Sequence, residues 1–171
     1  MSTRASLLTA TALAVFLQFA GGSTAKLLLW NASASVPIGL YRLRPAHPLR
    51  IGELVTIDAP PRLAAFMAAR AYLPRGVPLV KHIAALGGQT VCRQAHTITI
   101  NGHAVAVALE RDSLGRPLPA WQGCRRLRRG EVFLLNLAAP GSFDGRYFGV
   151  LSIATIAASA EPLWTIEGRS P

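Results

Sequence analysis

The sequence predicts a mainly β domain with one inserted helix, led by an N-terminal segment able to cross a membrane. Three observations carry this expectation. Short β-branched or alternating apolar runs, separated by glycine, proline and an Asn-Gly pair, recur between residues 27 and 156. A single alanine-rich run follows Pro60-Pro61, where proline suits the first helical turn and alanine the interior. Residues 5–25 carry no charge, and as a helix they would reach about 31 Å, close to the thickness of a bilayer core.

The N-terminal segment is diluted by serines, threonines and Gln18. It reads either as a retained signal anchor over residues 1–26 or as a cleaved signal peptide ending near Ser23-Thr24-Ala25. In both cases the positive flank at Arg4 holds residues 1–4 inside and exports residues 27–171. The anchor reading is preferred. Residues 27–30 then read as a short buried strand, residues 40–43 as an alternating strand, and residues 54–57 as a β-branched core strand. A helix is expected over residues 62–72, stopped by Pro74-Arg75-Gly76. Strands follow at 78–86 and 90–93 around the Gly87-Gly88 turn. Asn101-Gly102 joins strands at 96–100 and 104–107, as a type I′ hairpin requires. Residues 109–123 are broken by Asp112, Gly115, Pro117 and Pro119, and residues 132–135 and 149–156 complete the strands.

Of the 171 residues, 51% are apolar and 15% charged, so a single packed domain is expected. The net charge is +10. The arginines are dispersed apart from a cluster at 125–129, with no basic helix and no aromatic platform. Nucleic-acid binding is therefore not expected, and attraction to anionic lipid headgroups of a bilayer is. Cys92 and Cys124 are expected to form a disulfide in an oxidising compartment, the alternative being two buried thiols. No spacing suggests a metal site, and no cofactor is expected.

Among 18 basic residues only Lys26 and Lys81 are lysines. Lysine, unlike arginine, gives up its proton when desolvated, and Lys81 lies in the apolar run 78–86. A neutral Lys81 amine would serve as a general base, whereas a solvent-reaching strand lysine is the plainer alternative. Ser35 sits in a turn stiffened by Pro37 and Gly39, a setting that holds a nucleophilic hydroxyl still. Ser33, two residues earlier, falls on the same side of an extended segment and would help hold an oxyanion. Both are otherwise ordinary loop serines. His82 faces away from Lys81 on a strand, so a serine–histidine pairing excludes the serine–lysine one. His47, His96 and His103 lie in turns or the hairpin and read as surface residues. In 140–149, Asp144 and Arg146 are placed to pair, and Ser142 to orient the lysine amine.

Three segments together resemble the signal peptidase I family, peptidase family S26, and within it the branch of the conjugative-transfer peptidase TraF. The serine loop of that branch, Asn-x-Ser/Thr-x-Ser-hydrophobic-Pro-x-Gly-Leu-Tyr, is matched by residues 31–41. The lysine box is matched by residues 80–91, and the final box Ser-x-Asp-Ser-Arg-Tyr-Phe/Trp-Gly by residues 142–149. Gly87 and Gln89 replace the usual proline and aspartate of the lysine box, and Gly145 replaces the second serine of the final box. Val36 replaces the methionine common after the nucleophile in general signal peptidases, which favours the transfer branch. The resemblance implies a signal-peptidase-type β-sheet or barrel core, a Ser35–Lys81 dyad, and an oxyanion contribution from Ser33. It implies a serine endopeptidase in the bacterial inner membrane, its catalytic domain (27–171) in the periplasm. The implied substrate is an exported precursor such as a conjugative prepilin, which some relatives also circularise. A general signal peptidase and a non-enzymatic exported β-domain of a transfer apparatus are the alternatives.

Overall fold

The computed structural model describes residues 28–166. The expected membrane segment at 1–26 and the last five residues lie outside the described residues. Within them no helix is long and apolar enough to cross a membrane.

Among the described residues eleven strands form two antiparallel sheets. The larger contains β1 (Leu28–Asn31), β2 (Ile38–Arg44), β3 (Leu54–Ile57), β4 (Leu79–Leu86), β9 (Glu131–Leu135), β10 (Val150–Ser152) and β11 (Ile156–Ile166). Their order across the sheet is β1-β2-β11-β3-β4-β9-β10. The smaller sheet is β7 (His103–Val107), β6 (Thr97–Ile100), β5 (Thr90–Gln94) and β8 (Gly123–Arg126), in that order. Helix α1 (Pro61–Ala69) bridges β3 and β4, with Pro61 in its first turn, and is shorter at its end than the alanine-rich run implies. A short helix α2 (Gly145–Phe148) precedes β10.

The β-branched and alternating runs are strands because each lays an apolar face on a shared core. Val55, Ile57, Leu79, Ile83, Val132 and Leu134 from β3, β4 and β9 pack with Met67 of α1. Ala85, Phe133 and Leu135 face Val91 and Ile98 of the small sheet. β4 thus stands between β3 and β9, paired to both, with its middle residues deep in the molecule.

The hairpin takes the expected form, with Asn101 and Gly102 both at positive φ (51° and 84°). The expected continuous strand over 149–156 is a correction. The chain makes β10, a turn of 3-10 helix at Ile153–Thr155 capped by the Ser152 hydroxyl, and then β11. β11 is the longest strand, inserted between β2 and β3 with a bulge at Pro162/Trp164. Its sequence, rich in alanine and interrupted by proline, lacks the apolar alternation by which strands are read. β8 too went unexpected, because its four residues are all exposed.

Cys92 and Cys124 form a disulfide joining directly opposed residues of β5 and β8. Closing a loop with a sequence separation of 32 limits the unfolded chain and is worth about 3–4 kcal/mol. Replacing both cysteines by serine is expected to lower unfolding free energy by about that amount. Denaturant titration of the two chains in detergent checks it, and equal midpoints would refute it.

Candidate active site

The serine loop is held from inside by one side chain. Asn31, the buried last residue of β1, donates through Nδ2 to the carbonyls of Ser33 (2.8 Å), Val36 (3.1 Å) and Pro37 (3.1 Å). Its Oδ1 accepts from the Ser33 main-chain N–H (3.1 Å) and the Ser33 hydroxyl (2.9 Å). Val36 and Tyr41 are buried in a third apolar cluster, and the Tyr41 hydroxyl donates to the Pro37 carbonyl. Gly39 lies so close to β11 that a Cβ would fall 2.1 Å from the Trp164 carbonyl oxygen. The result is a fixed loop whose Ser35 is half-buried at its surface. Ser33 and Ser35 hydroxyl oxygens are 3.1 Å apart. Since Ser33 gives its single proton to Asn31, Ser35 is the donor in that contact.

Lys81 is 3% exposed, and its Nζ donates to the Ser142 hydroxyl at 2.8 Å. Burial pushes its amine down to about 8 from an ordinary 10.5. Asp144 opposes that shift and Arg146 adds to it. The neighbouring His82 is committed elsewhere: its Nδ1 lies 3.1 Å from the Asn136 Oδ1. Ser35 and Lys81 line one cleft of about 780 Å³, together with Ser33 and Ser142. Its walls are mainly apolar, from Trp30 and Leu79 to Phe143 and Tyr147.

Ser142 reaches Lys81 because its loop is locked. Asp144, fully buried, accepts from Arg146 Nε (2.9 Å) and Nη2 (2.8 Å), and caps α2 through the Arg146 main-chain N–H. Arg146 spends its other donors on the carbonyls of Ala139, Pro140 and Ser142. Phe143, between Ser142 and Asp144, stacks on Phe66 of α1 and on Tyr147 of α2. Arg93 of β5, also buried, donates to the Arg146 carbonyl at 2.6 Å. Opposite, Asp112 is held as a carboxylate: burial disfavours its charge, but bonds from Tyr72, Arg116 and Leu114 outweigh this and push its pKa down.

The structure therefore gathers Ser33, Ser35, Lys81 and Ser142 at one cleft and sets Asp144 and Arg146 behind it. Cys92 and Cys124 lie in the small sheet. The roles of Asn31, Phe143, Arg93 and Asn136 escaped the sequence reading. A signal existed for Asn31, which begins the serine-loop motif, and for Phe143, set between two residues already singled out.

A fixed serine loop and a buried lysine thus line one cleft, with a loop locked by Asp144 and Arg146 behind it. The family model described as signal peptidase, peptidase S26, matches residues 1–164. The chain belongs to this family. It is 35% identical over 147 residues to a probable conjugal transfer protein TraF of Sinorhizobium fredii, covering 79% of this chain and 76% of that one. It is 31% identical over 163 residues to a plasmid transfer protein TraF of Escherichia coli, covering 89% and 90%. Among solved structures, a signal peptidase I of Enterococcus faecalis is similar at 20% identity and a TM-score of 0.38, covering 64% of this chain and 94% of that one.

Removing one partner of a buried, hydrogen-bonded ion pair leaves an uncompensated charge and costs about 3–5 kcal/mol. Arg146→Met is expected to destabilise by that amount, since it also strands three carbonyls. A loss under about 1 kcal/mol in denaturant titration would show that the pair is not what fixes the loop.

Proposed function

We propose that this chain is a membrane-anchored serine endopeptidase that uses a Ser35–Lys81 dyad to process an exported precursor, a prepilin of a conjugation apparatus. The observation that carries the reading is the buried Lys81 amine, hydrogen-bonded to a hydroxyl and lining the same cleft as Ser35. An amine pushed down to about 8 is in part neutral near neutral pH and free to accept a proton.

The neutral Lys81 Nζ takes the Ser35 proton as Ser35 Oγ attacks the scissile carbonyl. The carbonyl electron pair moves to oxygen, where the Ser35 main-chain N–H and the Ser33 hydroxyl stabilise it. For this Ser33 turns its proton from Asn31 toward the oxyanion. The pair then returns, the C–N bond breaks, and the lysine ammonium protonates the leaving amine. Water, deprotonated by the same amine, cleaves the acyl-enzyme and restores both residues. Ser142 keeps the amine aimed throughout.

The prepilin assignment draws on the names of the relatives, which belong to conjugal and plasmid transfer, and on the segment similarity already described. The Cys92–Cys124 disulfide is in keeping with an oxidising periplasm, and the apolar segment at 1–26 with attachment to the inner-membrane bilayer.

Co-expression with a conjugative prepilin that carries its own export signal tests the reading. Ser35→Ala and Lys81→Met are each expected to abolish processing, and processing by either variant would sink the dyad. Because the lysine acts as the neutral amine, kcat/KM on a spanning peptide is expected to rise with pH to an inflection near 8. Ser142→Ala, which deprives the amine of its partner, is expected to lower kcat about tenfold. A profile flat between pH 6 and 9, or an unaffected Ser142→Ala chain, would remove the lysine from the role of base.

A further inference from the structure

The chain has three asparagines. Asn101 makes the hairpin turn and Asn31 holds the serine loop. Asn136 follows β9, is 1% exposed, and bonds to Val80, His82 and Asp144. A buried amide is tolerated only when its donors and acceptors are satisfied, so the partners of Asn136 reveal its purpose.

Those partners flank Lys81. Asn136 Nδ2 donates to the Val80 carbonyl at 3.1 Å, and Oδ1 accepts from the His82 main-chain N–H at 3.2 Å. The same oxygen lies 3.1 Å from His82 Nδ1, which therefore carries the proton. The ladder between β4 and β9 ends at the pair His82↔Leu135. Continued by one residue it would set Asn136 opposite Lys81, but there the chain turns away toward the Ser142 loop. The Val80 carbonyl and the His82 N–H would be left bare beside the lysine. The Asn136 side-chain amide, itself a peptide-like group, takes both as a facing strand would. Its own main-chain N–H donates to Asp144 Oδ2 at 3.0 Å.

We propose that Asn136 is a positioning residue for Lys81: its side-chain amide replaces the missing strand partner on both sides of the lysine, while its main chain ties that strand to the carboxylate that locks the Ser142 loop. The lysine and its orienting hydroxyl come from segments far apart in sequence, and Asn136 is the joint between them. The proposal rests on the reading of Lys81 as the base, but it concerns where the amine is held.

The groups facing Lys81 define what its titration reports. Asp144 and Arg146 act from the loop and α2, His82 is adjacent on β4, and Arg111 and Asp112 line the same cleft. Val55, its cross-strand neighbour on β3, is apolar, as is Leu54 beside it. If Asn136 loses its amide, β4 loosens at Lys81, water reaches the amine, and its titration moves up toward the ordinary lysine value.

Two lysines in the chain make the test direct. The full chain, labelled in its lysine side chains and held in detergent, is titrated by NMR, with Lys81→Met assigning the signals. Asn136→Leu keeps the shape and loses the chemistry, and Asn136→Gln keeps the chemistry on a longer arm. The leucine chain is expected to raise the Lys81 midpoint by about one unit or more, and the glutamine chain by less. In parallel, kcat at neutral pH is expected to fall about tenfold in the leucine chain with KM within about twofold, activity recovering as pH rises. Should the leucine chain not fold, Asn136→Ser, whose hydroxyl is one heavy atom shorter than the amide, is read in its place. A Lys81 midpoint unmoved by leucine or serine, or moved more by glutamine than by leucine, would overturn the proposal. Processing by Ser35→Ala would instead refute the dyad and leave the titration result standing.

Discussion

A buried amine that is to act as a base has to be dry enough to lose its proton and still have a partner for its remaining N–H groups. The contact between Lys81 Nζ and Ser142 Oγ meets both demands. A carboxylate in that place would stabilise the ammonium and raise the pKa, whereas a hydroxyl bonds the neutral form without favouring the charge. The rest of the domain follows from placing these two groups together. Lys81 has to be covered on both sides within its strand: Val55 of β3 pairs with it on one side, and on the other, where the ladder with β9 has ended, the Asn136 amide takes the flanking main-chain groups. Ser142 has to approach from beyond the sheet, so β9 ends early and the chain loops back through α2 to β10. The charges behind the loop pull the amine's pKa in opposite directions, Asp144 raising it and Arg146 lowering it. Burial is the larger influence and sets the downward direction.

In the proposed mechanism the nucleophile obeys the opposite requirement. Ser35 has to meet a substrate, so it cannot be buried, and an exposed loop carries few ladder bonds to hold it. Its rigidity comes from residues around it. Asn31 gathers three carbonyls and an N–H of the loop, Val36 pins it to the third apolar cluster, and Gly39 lets β11 close behind it. Each such bond is worth only about 1 kcal/mol net. Together they fix the hydroxyl at the cleft without a strand partner.

The central strands could be read in the sequence because both their faces are apolar or alternate, and the hairpin because Asn-Gly permits two positive φ angles in succession. β11 could not. Residues 157–162 are alanines, a serine, a glutamate and a proline, and their strand character comes from the two edges, β2 and β3, that β11 joins. The same division holds at the site. Ser33, Ser35, Lys81, Ser142, Asp144 and Arg146 could be picked out because their side chains carry the chemistry or pair with one another. Arg93 and Asn136 could not, since their partners are main-chain groups distant in sequence, which no local pattern encodes.

The departures from the family pattern also become physical once packing is known. Gly145 stands where a serine is usual, and a Cβ there would lie 2.6 Å from the Leu134 carbonyl and 2.8 Å from the Phe133 ring. The start of α2 is pressed against β9, so glycine lets the Asp144–Arg146 loop approach the strand that Asn136 extends. Gly87 is likewise pressed, a Cβ falling 2.9 Å from the Arg128 carbonyl. Beside it, Gln89 Oε1 accepts from the Leu86 N–H at 3.0 Å, a bond that an acidic side chain in this turn would otherwise make. Gly145 opens α2 against β9, whereas Gly87 follows the last residue of β4, at the far end of that strand from Lys81. Lys81 lies inside β4 but just past the point where the ladder with β9 stops, so its side faces a cleft instead of a facing strand. There too the backbone groups left over must be satisfied by side chains, and in this chain two asparagine amides do so, one beneath the Ser35 loop and one beside Lys81.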